Sequence, residues 1–213
     1  MTTPEGTLDR GLALLPLALP AGARDKLVAF LALLEKWNRT YNLTAIRNPL
    51  KMVTQHLLDS LAVVPHLPMV GSDAGLADVG SGGGMPGIPL AIARPEWQVA
   101  LNDSNQKKAA FLRQAAIELA LQNVIVHTGR AEHWRPARLF AVVISRGFAD
   151  LADFVAACRH LVAPGGVLAA MKGVYPHEEL ARVPASAGCG EVVRLEVPLL
   201  DAERHLVLCR ARA

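Results

Sequence analysis

Apolar residues in the first third of the chain recur at the spacing of a helix. Between residues 24 and 38 they fall three and four positions apart, which predicts an amphipathic helix over that range. Asn48 followed by Pro49 is typical of an N-cap and a first helical position, so we expect a second helix from Asn48 to about Val64. Two prolines just beyond Val64 would end it. Residues 1–70 are therefore predicted to form a helical N-terminal subdomain.

From residue 71 onward, short apolar runs alternate with amphipathic segments. After a glycine-bounded turn over 71–75, we expect strands at 76–79, 97–101, 124–127, 140–145, 166–171, 192–197 and 205–209. The helices predicted between them cover 86–93, 104–121 and 150–161. This alternation is typical of an α/β fold with a mostly parallel, doubly wound sheet, which would occupy residues 71–213. The last two strands leave no room for a long helix between them, which predicts an antiparallel strand at one edge.

Composition narrows the class of protein without naming a function. A chain of 213 residues, of which 52% are hydrophobic, suits one domain with an elaboration. The net charge of +3 is compatible with a polyanionic partner but does not by itself indicate one. Cys158, Cys189 and Cys209 lack metal-ligand spacing, so we expect reduced thiols, no disulfide and no metal site.

One apolar stretch, residues 12–19, needs to be distinguished from a targeting signal. Two prolines interrupt it, acidic residues precede it where a signal peptide carries basic ones, and it is too short to span a bilayer. We interpret it as helical sequence packed on the domain. The expectation is a cytoplasmic protein without a membrane partner.

The most informative motif is the glycine-rich stretch that follows the first predicted strand. It runs from Asp78 to Gly87 and contains Gly80, Gly82 and Gly84, followed by Met85. Glycines tolerate positive φ, and without a Cβ they let backbone N–H groups approach a ligand closely. A helix beginning at the following proline would offer free N–H groups to a ligand carboxylate.

Two cofactor classes use such a loop. Gly82, Gly84 and Gly87 match the dinucleotide fingerprint, which alone is a weak signal. Counted from Gly80, however, the dinucleotide fingerprint requires glycine at the position that Met85 occupies. Asp78 is also an acid at a strand end where dinucleotide folds usually carry an apolar residue. S-adenosyl-L-methionine (AdoMet), which has an ammonium and a sulfonium and no pyrophosphate, therefore fits better than a nicotinamide cofactor.

Further candidate cofactor contacts follow the second and third strands. Asp103 lies at the end of the second strand, where a carboxylate can accept hydrogen bonds from both ribose hydroxyls. The alternative is that Asp103 only caps the next helix. Ala131 and Glu132 follow the third strand, where this architecture places an adenine. For Glu132, a solvated loop acid is an equally good interpretation on spacing alone.

Beyond these motifs, the chain closely resembles one family over nearly its whole length. The matching strings, in addition to the glycine loop, are WNRTYNLTAIR at 37–47, HLLDS at 56–60, FLRQ at 111–114, ISR at 144–146 followed by Phe148, KG at 172–173 and ERHL at 203–206. These strings are similar to those of the bacterial 16S rRNA guanine-N7 methyltransferases, also called glucose-inhibited division protein B. Among modest departures, Asn102 stands where leucine is usual and Gly147 where alanine is usual.

The resemblance implies a Rossmann-like class I methyltransferase that methylates N7 of guanine 527, in the 530 loop of 16S rRNA. It implies AdoMet as cofactor and 16S rRNA or the small-subunit particle as partner. The family's cofactor positions fall on Gly80, Met85, Asp103, Ala131, Glu132 and Arg146. We expect Arg146, at the end of the fourth strand, to orient the substrate through guanine O6 or a phosphate. The alternative for Arg146 is a structural ion pair.

The chemistry of guanine N7 agrees with what the sequence lacks. N7 carries a lone pair and no proton, so direct displacement at the methyl group needs alignment and no general base. The chain has no Asp/Asn-Pro-Pro-aromatic motif after the fourth strand, which would favour an exocyclic amine, and no Pro-Cys nucleophile. Rival interpretations are a methyltransferase for small molecules or proteins, a nicotinamide oxidoreductase, and a non-catalytic RNA-binding module.

Several basic residues are candidates for contacts with the RNA backbone. They are Arg39, Arg47, Lys107, Lys108 and Lys172. Charges scattered in this way are also typical of solvated faces. His56 has Asp59 three residues further on, and we interpret it as a satisfied histidine without a catalytic role. A monomer is expected.

Overall fold

The fold is built around one seven-stranded sheet. The computed structural model describes residues 3–68, 75–148 and 150–210. The strands are β1 (Leu76–Val79), β2 (Val99–Asp103), β3 (Val124–Thr128), β4 (Phe140–Ser145), β5 (Val162–Lys172), β6 (Cys189–Arg194) and β7 (His205–Arg210). Their order across the sheet is β3-β2-β1-β4-β5-β7-β6. Chain order reverses between β1 and β4, the switch point at which such sheets bind ligands.

The predicted sheet class is confirmed. β3, β2, β1, β4 and β5 are parallel to one another, while β7 runs antiparallel to both of its neighbours, β5 and β6. The antiparallel strand therefore lies one position inside the edge. The parallel strands all end on the same side of the sheet, so the segments that follow β1, β2, β4 and β5 converge there.

Eight α-helices surround the sheet in the described part of the chain. They are α1 (Pro4–Leu14), α2 (Ala23–Tyr41), α3 (Pro49–Met52), α4 (Asp59–Leu61), α5 (Gly87–Ala93), α6 (Gln106–Glu118), α7 (Leu151–Cys158) and α8 (His177–Arg182). None of these helices is both long enough and apolar enough to cross a membrane. The predicted turn over 71–75 lies, except for Gly75, outside the described residues, as does the proposed boundary between residues 70 and 71.

The second predicted helix is interrupted, which the periodicity did not indicate. Asn48 caps α3 as expected, because its Oδ1 accepts from the backbone N–H of Leu50 at 2.9 Å. Between α3 and α4, however, Val53–Leu58 forms a π-helix, in which the N–H of Asp59 reaches back five residues to the carbonyl of Thr54. Such wide turns are rare and often occur at functional sites.

The N-terminal helices and the sheet share one hydrophobic core. Leu27, Phe30 and Leu34 of α2 are buried in the same cluster as Ile88 of α5 and Phe111 of α6. A second cluster, centred on α7, covers the other face of the sheet. Because α2 completes the first core, the helical segment is packed onto the sheet and holds a fixed position relative to the strand ends.

The expectation of three reduced cysteines is wrong for two of them. Cys189 and Cys209 form a disulfide between β6 and β7. The reason is the strand register, which pairs these two residues directly opposite each other although 20 residues separate them in sequence. Cys158 of α7 is a buried free thiol, and burial raises its pKa to about 12.

Candidate functional site

The glycine loop after β1 is held in place by the neighbouring strand. The N–H groups of Gly80 and Ser81 both donate to the carbonyl of Asn102 at 2.9 Å. The hydroxyl of Ser81 donates to the carbonyl of Asp78 and accepts from the N–H of Asn102. The loop therefore leaves β1 in a fixed conformation at the switch point of the sheet.

The glycines of this loop serve two purposes. A Cβ on Gly87 would lie 2.2 Å from a methyl group of Leu101, so glycine is required there for helix-to-strand packing. Gly80 and Gly82 have positive φ values of 72° and 56°, and a Cβ at either would meet nothing closer than 3.8 Å. These two residues present bare backbone toward open space, which fits a loop that lies against a ligand.

Asp78 lies behind the loop. Its side chain is fully buried, and Oδ2 accepts from the N–H of Gly87 at 2.9 Å. Among the described residues, Oδ1 of Asp78 is the buried side-chain atom without a hydrogen-bond partner. Burial raises the pKa of this carboxyl to about 7. The geometry gives Asp78 a loop-shaping position, and a direct cofactor contact by this residue remains only a prediction.

The start of α5 differs from the expectation. The helix begins at Gly87. Its N–H is already bound by Asp78, and the N–H of Ile88 donates to the carbonyl of Gly84. These two groups are satisfied within the chain, so they are not free for a ligand carboxylate. The expectation of free N–H groups at this helix end is wrong because the carboxylate of Asp78 and the carbonyl of Gly84 already accept them.

Asp103 joins the glycine loop to the end of β2. Its Oδ2 accepts from the N–H of Gly82 at 3.0 Å, and its Oδ1 accepts from the N–H of Asn105 at 2.8 Å. The cap of α6 is Asn105, whose side chain accepts from Lys107 and Lys108. Asp103 is therefore not the helix cap. Each carboxylate oxygen keeps a second lone pair, so the geometry leaves Asp103 able to accept from ribose hydroxyls as well.

The segment after β3 is tied to the same strand end. Nδ2 of Asn102 donates to the carbonyl of Gly129 at 2.9 Å, and the N–H of Gly129 donates to the carbonyl of Asp103. Asn102, which stands where the resembling family usually has leucine, thus connects the candidate ribose position to the candidate adenine position. Ala131 is buried, whereas Glu132 is exposed and pairs with Arg130 at 3.0 Å.

Taken together, these residues fit AdoMet. The loop offers a side-chain-free edge at Gly80 and Gly82, with the carboxylate of Asp103 beside it. On its other side, Ser145 donates to the carbonyl of Val79 and accepts from the N–H of Gly147, which holds the end of β4 against the loop. Met85 is buried beneath the loop.

Next to Gly147, a polar cavity of about 340 Å³ opens between the N-terminal helices, the ends of β4 and β5, and the start of β7. Arg146, Lys172 and Arg204 contribute positive charge to its wall, and Asp59 contributes negative charge. The remaining lining residues are Ile46, Gln55, His56, Met171 and Gly173. Its volume falls within the usual range of small-ligand sites.

Arg146 is held by the π-helical turn. Nη1 donates to the carbonyl of Gln55 at 2.9 Å and lies 3.3 Å from Oδ2 of Asp59. Arg146 therefore forms the ion pair of one interpretation and also lines the cavity, and its role in orienting a substrate stays a prediction. Oδ1 of the buried Asp59 accepts from Nε of Arg204 at 3.0 Å. Burial acts to raise the pKa of Asp59, and the two guanidinium groups oppose that rise.

His56 is satisfied, as expected, although not by Asp59. Its Nε2 lies 2.9 Å from the hydroxyl of Thr44, and its Nδ1 lies 3.0 Å from the carbonyl of Gln55 and 3.4 Å from Nη2 of Arg146. Burial, followed by the nearby charge of Arg146, lowers the pKa of His56 to about 4. The ring is therefore neutral at physiological pH.

The basic residues proposed for RNA lie in different environments. Arg39 forms an exposed ion pair with Glu35, and Arg47 is an exposed residue that bonds to the side chain of Asn42. Lys107 and Lys108 lie at the start of α6. Lys172 differs, because its side chain is only 10% exposed and pairs with Glu179 at 2.7 Å. Lys172 belongs to the cavity wall more than to an open basic surface.

Two residues of the cavity, Asp59 and Arg204, were not singled out by the sequence. Each occurs in a string shared with the resembling family, HLLDS and ERHL, which was the available signal. Their hydrogen bond spans 145 positions, a separation that no local pattern detects.

Known proteins of one family are similar to this chain over nearly its whole length. The model of a family described as rRNA small subunit methyltransferase G matches residues 23–207. The chain is 56% identical over 209 residues to ribosomal RNA small subunit methyltransferase G of Burkholderia thailandensis, covering 96% of this chain and 90% of that protein. The protein of the same name from Burkholderia pseudomallei is 54% identical over 209 residues, with the same coverage.

Solved structures are similar in fold. A SAM-dependent methyltransferase from Aquifex aeolicus superposes with a TM-score of 0.60 at 15% identity, covering 84% of this chain and 97% of that one. TrmN from Thermus thermophilus superposes with a TM-score of 0.52 at 19% identity, covering 81% of this chain and 53% of that one.

Proposed function

Since the chain belongs to the rRNA small subunit methyltransferase G family, we propose that it transfers the methyl group of AdoMet to N7 of guanine 527, in the 530 loop of 16S rRNA. The observation that carries this proposal is the contiguity of two sites. The glycine loop with Asp103 adjoins, through the segment Ser145 to Gly147, a polar cavity lined by Arg146. One site would hold the cofactor and the other the base.

The residues assigned to the cofactor are those at the strand ends. Gly80, Gly82 and Gly84 shape the loop, Met85 packs beneath it, and Asp103 is assigned to the ribose. Ala131 and Glu132 are assigned to the adenine. AdoMet supplies an electrophilic methyl group on a sulfonium, so the chain has only to align the acceptor with it.

The cavity supports a guanine acceptor. A guanidinium carries five N–H donors, and Arg146 uses only part of them on Gln55 and Asp59. The remaining donors can bind guanine O6, whose neighbour on the same edge of the base is N7. Arg204 brings a second guanidinium to the same cavity, held by the same carboxylate.

The neutrality of His56 agrees with a reaction that needs no general base. N7 has no proton to remove, and a histidine with a pKa of about 4 would be a poor proton acceptor. The chain's part in the reaction is therefore orientation and charge placement. Both arginines are positioned by Asp59 before the substrate arrives, which reduces the cost of ordering them on binding.

In this proposal the N-terminal helices and the sheet-containing core have different functions. Residues 1–70 would guide the RNA, and residues 71–213 would bind AdoMet. The substrate is 16S rRNA or the small-subunit particle, and the active unit is one copy of the chain.

The experiment that tests the proposal uses AdoMet with a tritiated methyl group. The purified protein is incubated separately with small-subunit rRNA, with small-subunit particles and with large-subunit rRNA, all from a strain that lacks the modification. We expect label only in small-subunit RNA, as naked RNA or in the particle, at a stoichiometry approaching one methyl group per molecule. Label in large-subunit rRNA, or no label in either form of the small-subunit RNA, would contradict the proposal.

A further inference from the structure

An exposed aromatic residue, Tyr175, lies two positions beyond Gly173, which lines the polar cavity. β5 ends at Lys172, and the loop that follows carries Val174 and Tyr175. Lys172 and Gly173 line the cavity on this side. Val174 is 73% exposed and Tyr175 is 40% exposed. Val174 and Tyr175 are thus two adjacent exposed residues beside the cavity, and Tyr175 presents an aromatic ring there.

The ring of Tyr175 is held in place from below. Its centroid lies 5.5 Å from the ring of His205 in an edge-on arrangement and 4.3 Å from the ring of His177. His205 is itself buried at the start of β7, and its Nδ1 lies 2.9 Å from the carbonyl of Gly173. These contacts limit the orientations that the ring can adopt, and they leave part of it open to solvent. A prepositioned ring costs less entropy when a partner stacks on it.

A base that enters the cavity must leave its own stack. Its neighbours in the strand then lose a stacking partner, and an aromatic side chain at the rim can replace it. Arg204, next to His205, lines the same cavity and supplies positive charge for the phosphate chain. We propose that Tyr175 is a stacking platform for a base adjacent to the methylated nucleotide in single-stranded RNA. This inference rests on the proposed function and adds an RNA contact outside the cofactor site.

The test compares three variants at Tyr175 with a matched control. Tyr175→Phe keeps the ring, Tyr175→Leu keeps apolar bulk without a ring, and Tyr175→Ala removes both. Leu139→Ala is the control, because Leu139 is also 40% exposed but precedes β4, at the opposite end of the sheet. Measurements are RNA affinity by filter binding, KM and kcat for small-subunit RNA, AdoMet affinity by calorimetry, and the thermal unfolding midpoint.

Stacking on one base predicts a rise of about tenfold in Kd and KM for RNA with Tyr175→Ala and Tyr175→Leu. Tyr175→Phe and Leu139→Ala should match the wild type, and AdoMet affinity should be equal in all variants. The stacking role would be overturned if Tyr175→Ala bound RNA as tightly as the wild type, or if Tyr175→Leu did so. A parallel loss of AdoMet affinity or of folding would assign Tyr175 to structure and overturn it as well.

A failure of the proposed methyltransferase function can be distinguished from a failure of the stacking role of Tyr175. If Tyr175 has no stacking role, the wild type and the alanine variant methylate RNA equally. If the wild-type protein transfers no methyl group to RNA, the proposed function fails and the platform fails with it. RNA affinity, which is measured without turnover, separates the two results.

Discussion

The carboxylate of Asp59 accepts a hydrogen bond of 3.0 Å from Nε of Arg204, across 145 positions of the chain. This contact joins the N-terminal helices to the segment before β7. The other oxygen of Asp59 lies 3.3 Å from Nη1 of Arg146, at the end of β4. One buried acid therefore sets the positions of two cations in the cavity assigned to the substrate, so their geometry depends on how the helices pack against the sheet.

Replacing Asp59 with asparagine should separate orientation from cofactor binding. The variant keeps the volume of the side chain but leaves two guanidinium groups without their anionic partner. We expect methyl transfer to fall by about a hundredfold or more, since misplacement of an orienting group by about 1 Å has an effect of that order. AdoMet affinity should change by less than about threefold, because the glycine loop does not contact Asp59. Single-turnover kinetics and calorimetry measure the two quantities.

Glu191→Gln is the matched control for that variant. It removes the acid of an exposed ion pair with Arg210, which is worth at most about 1 kcal/mol. Its activity should equal that of the wild type. Full activity in Asp59→Asn would show that the two arginines need no common anchor.

Removing the carboxylate of Asp103 should weaken the cofactor site without unfolding the protein. Asp103→Ala loses the acceptor for the N–H of Gly82 and the one assigned to ribose hydroxyls. The expected loss of AdoMet affinity is roughly 1.5–3 kcal/mol, typical of hydrogen bonds to charged groups. Asn105 caps α6 and should preserve that helix, so circular dichroism should be unchanged. A loss of helix signal would instead show that Asp103 mainly maintains the fold.

Two arginines of the N-terminal segment test the path of the RNA. Arg39 and Arg47 form only exposed, weak contacts, with Glu35 and Asn42 respectively, so both side chains can turn to phosphates. The double variant Arg39→Ala with Arg47→Ala should lower RNA affinity and flatten its log–log salt dependence by about one unit per lost phosphate contact. Arg24→Ala, whose arginine pairs with Asp9, is the control. If the salt slope of the double variant equals that of the wild type, the RNA follows another path, across Lys107 and Lys108.

Stability should depend on pH through His56. Its pKa is about 4 in the folded protein and 6.5 in the unfolded chain, so the unfolded chain binds the extra proton between these values. The contribution of His56 to the free energy of unfolding is therefore fully present above pH 6.5. It is lost as the pH falls toward 4, and the total loss is on the order of 3 kcal/mol. The raised pKa of Asp78 acts in the opposite direction over the same range.

For that reason the comparison is between wild type and His56→Gln, with Asp78 present in both. The stability difference, wild type minus variant, should shrink as the pH is lowered from 7 to 4.5 in urea titrations. A difference that is constant over this range would mean that His56 does not change protonation on unfolding.

Local sequence patterns predicted the sheet and the cofactor loop because both depend on short-range rules. A strand such as Leu76–Val79 followed by closely spaced glycines restricts the backbone within ten residues. The N-cap at Asn48 and the antiparallel return of the last strand follow from equally local features. The family strings added Arg146, whose role in orienting the substrate stays a prediction.

Long-range and buried features could not be read from the same patterns. The π-helical turn at Val53–Leu58 has the same apolar spacing as an α-helix. The Asp59–Arg204 contact and the Cys189–Cys209 disulfide depend on tertiary packing and strand register. Lys172 looked like a surface cation, yet its pairing with Glu179 places it in a cavity wall. In each case the missing information is which distant segment packs against the residue.

The measurement that tests the central claim most directly is the identity and position of the methylated nucleoside. Small-subunit RNA methylated by the purified protein is digested to nucleosides for mass spectrometry, and a second sample is cleaved with borohydride and aniline, which cuts at 7-methylguanosine. The account predicts one new nucleoside, 7-methylguanosine, and one cleavage, at guanine 527. Methyl label recovered as an N2-methylguanosine or a methylated pyrimidine, or a cleavage elsewhere in the RNA, would contradict it.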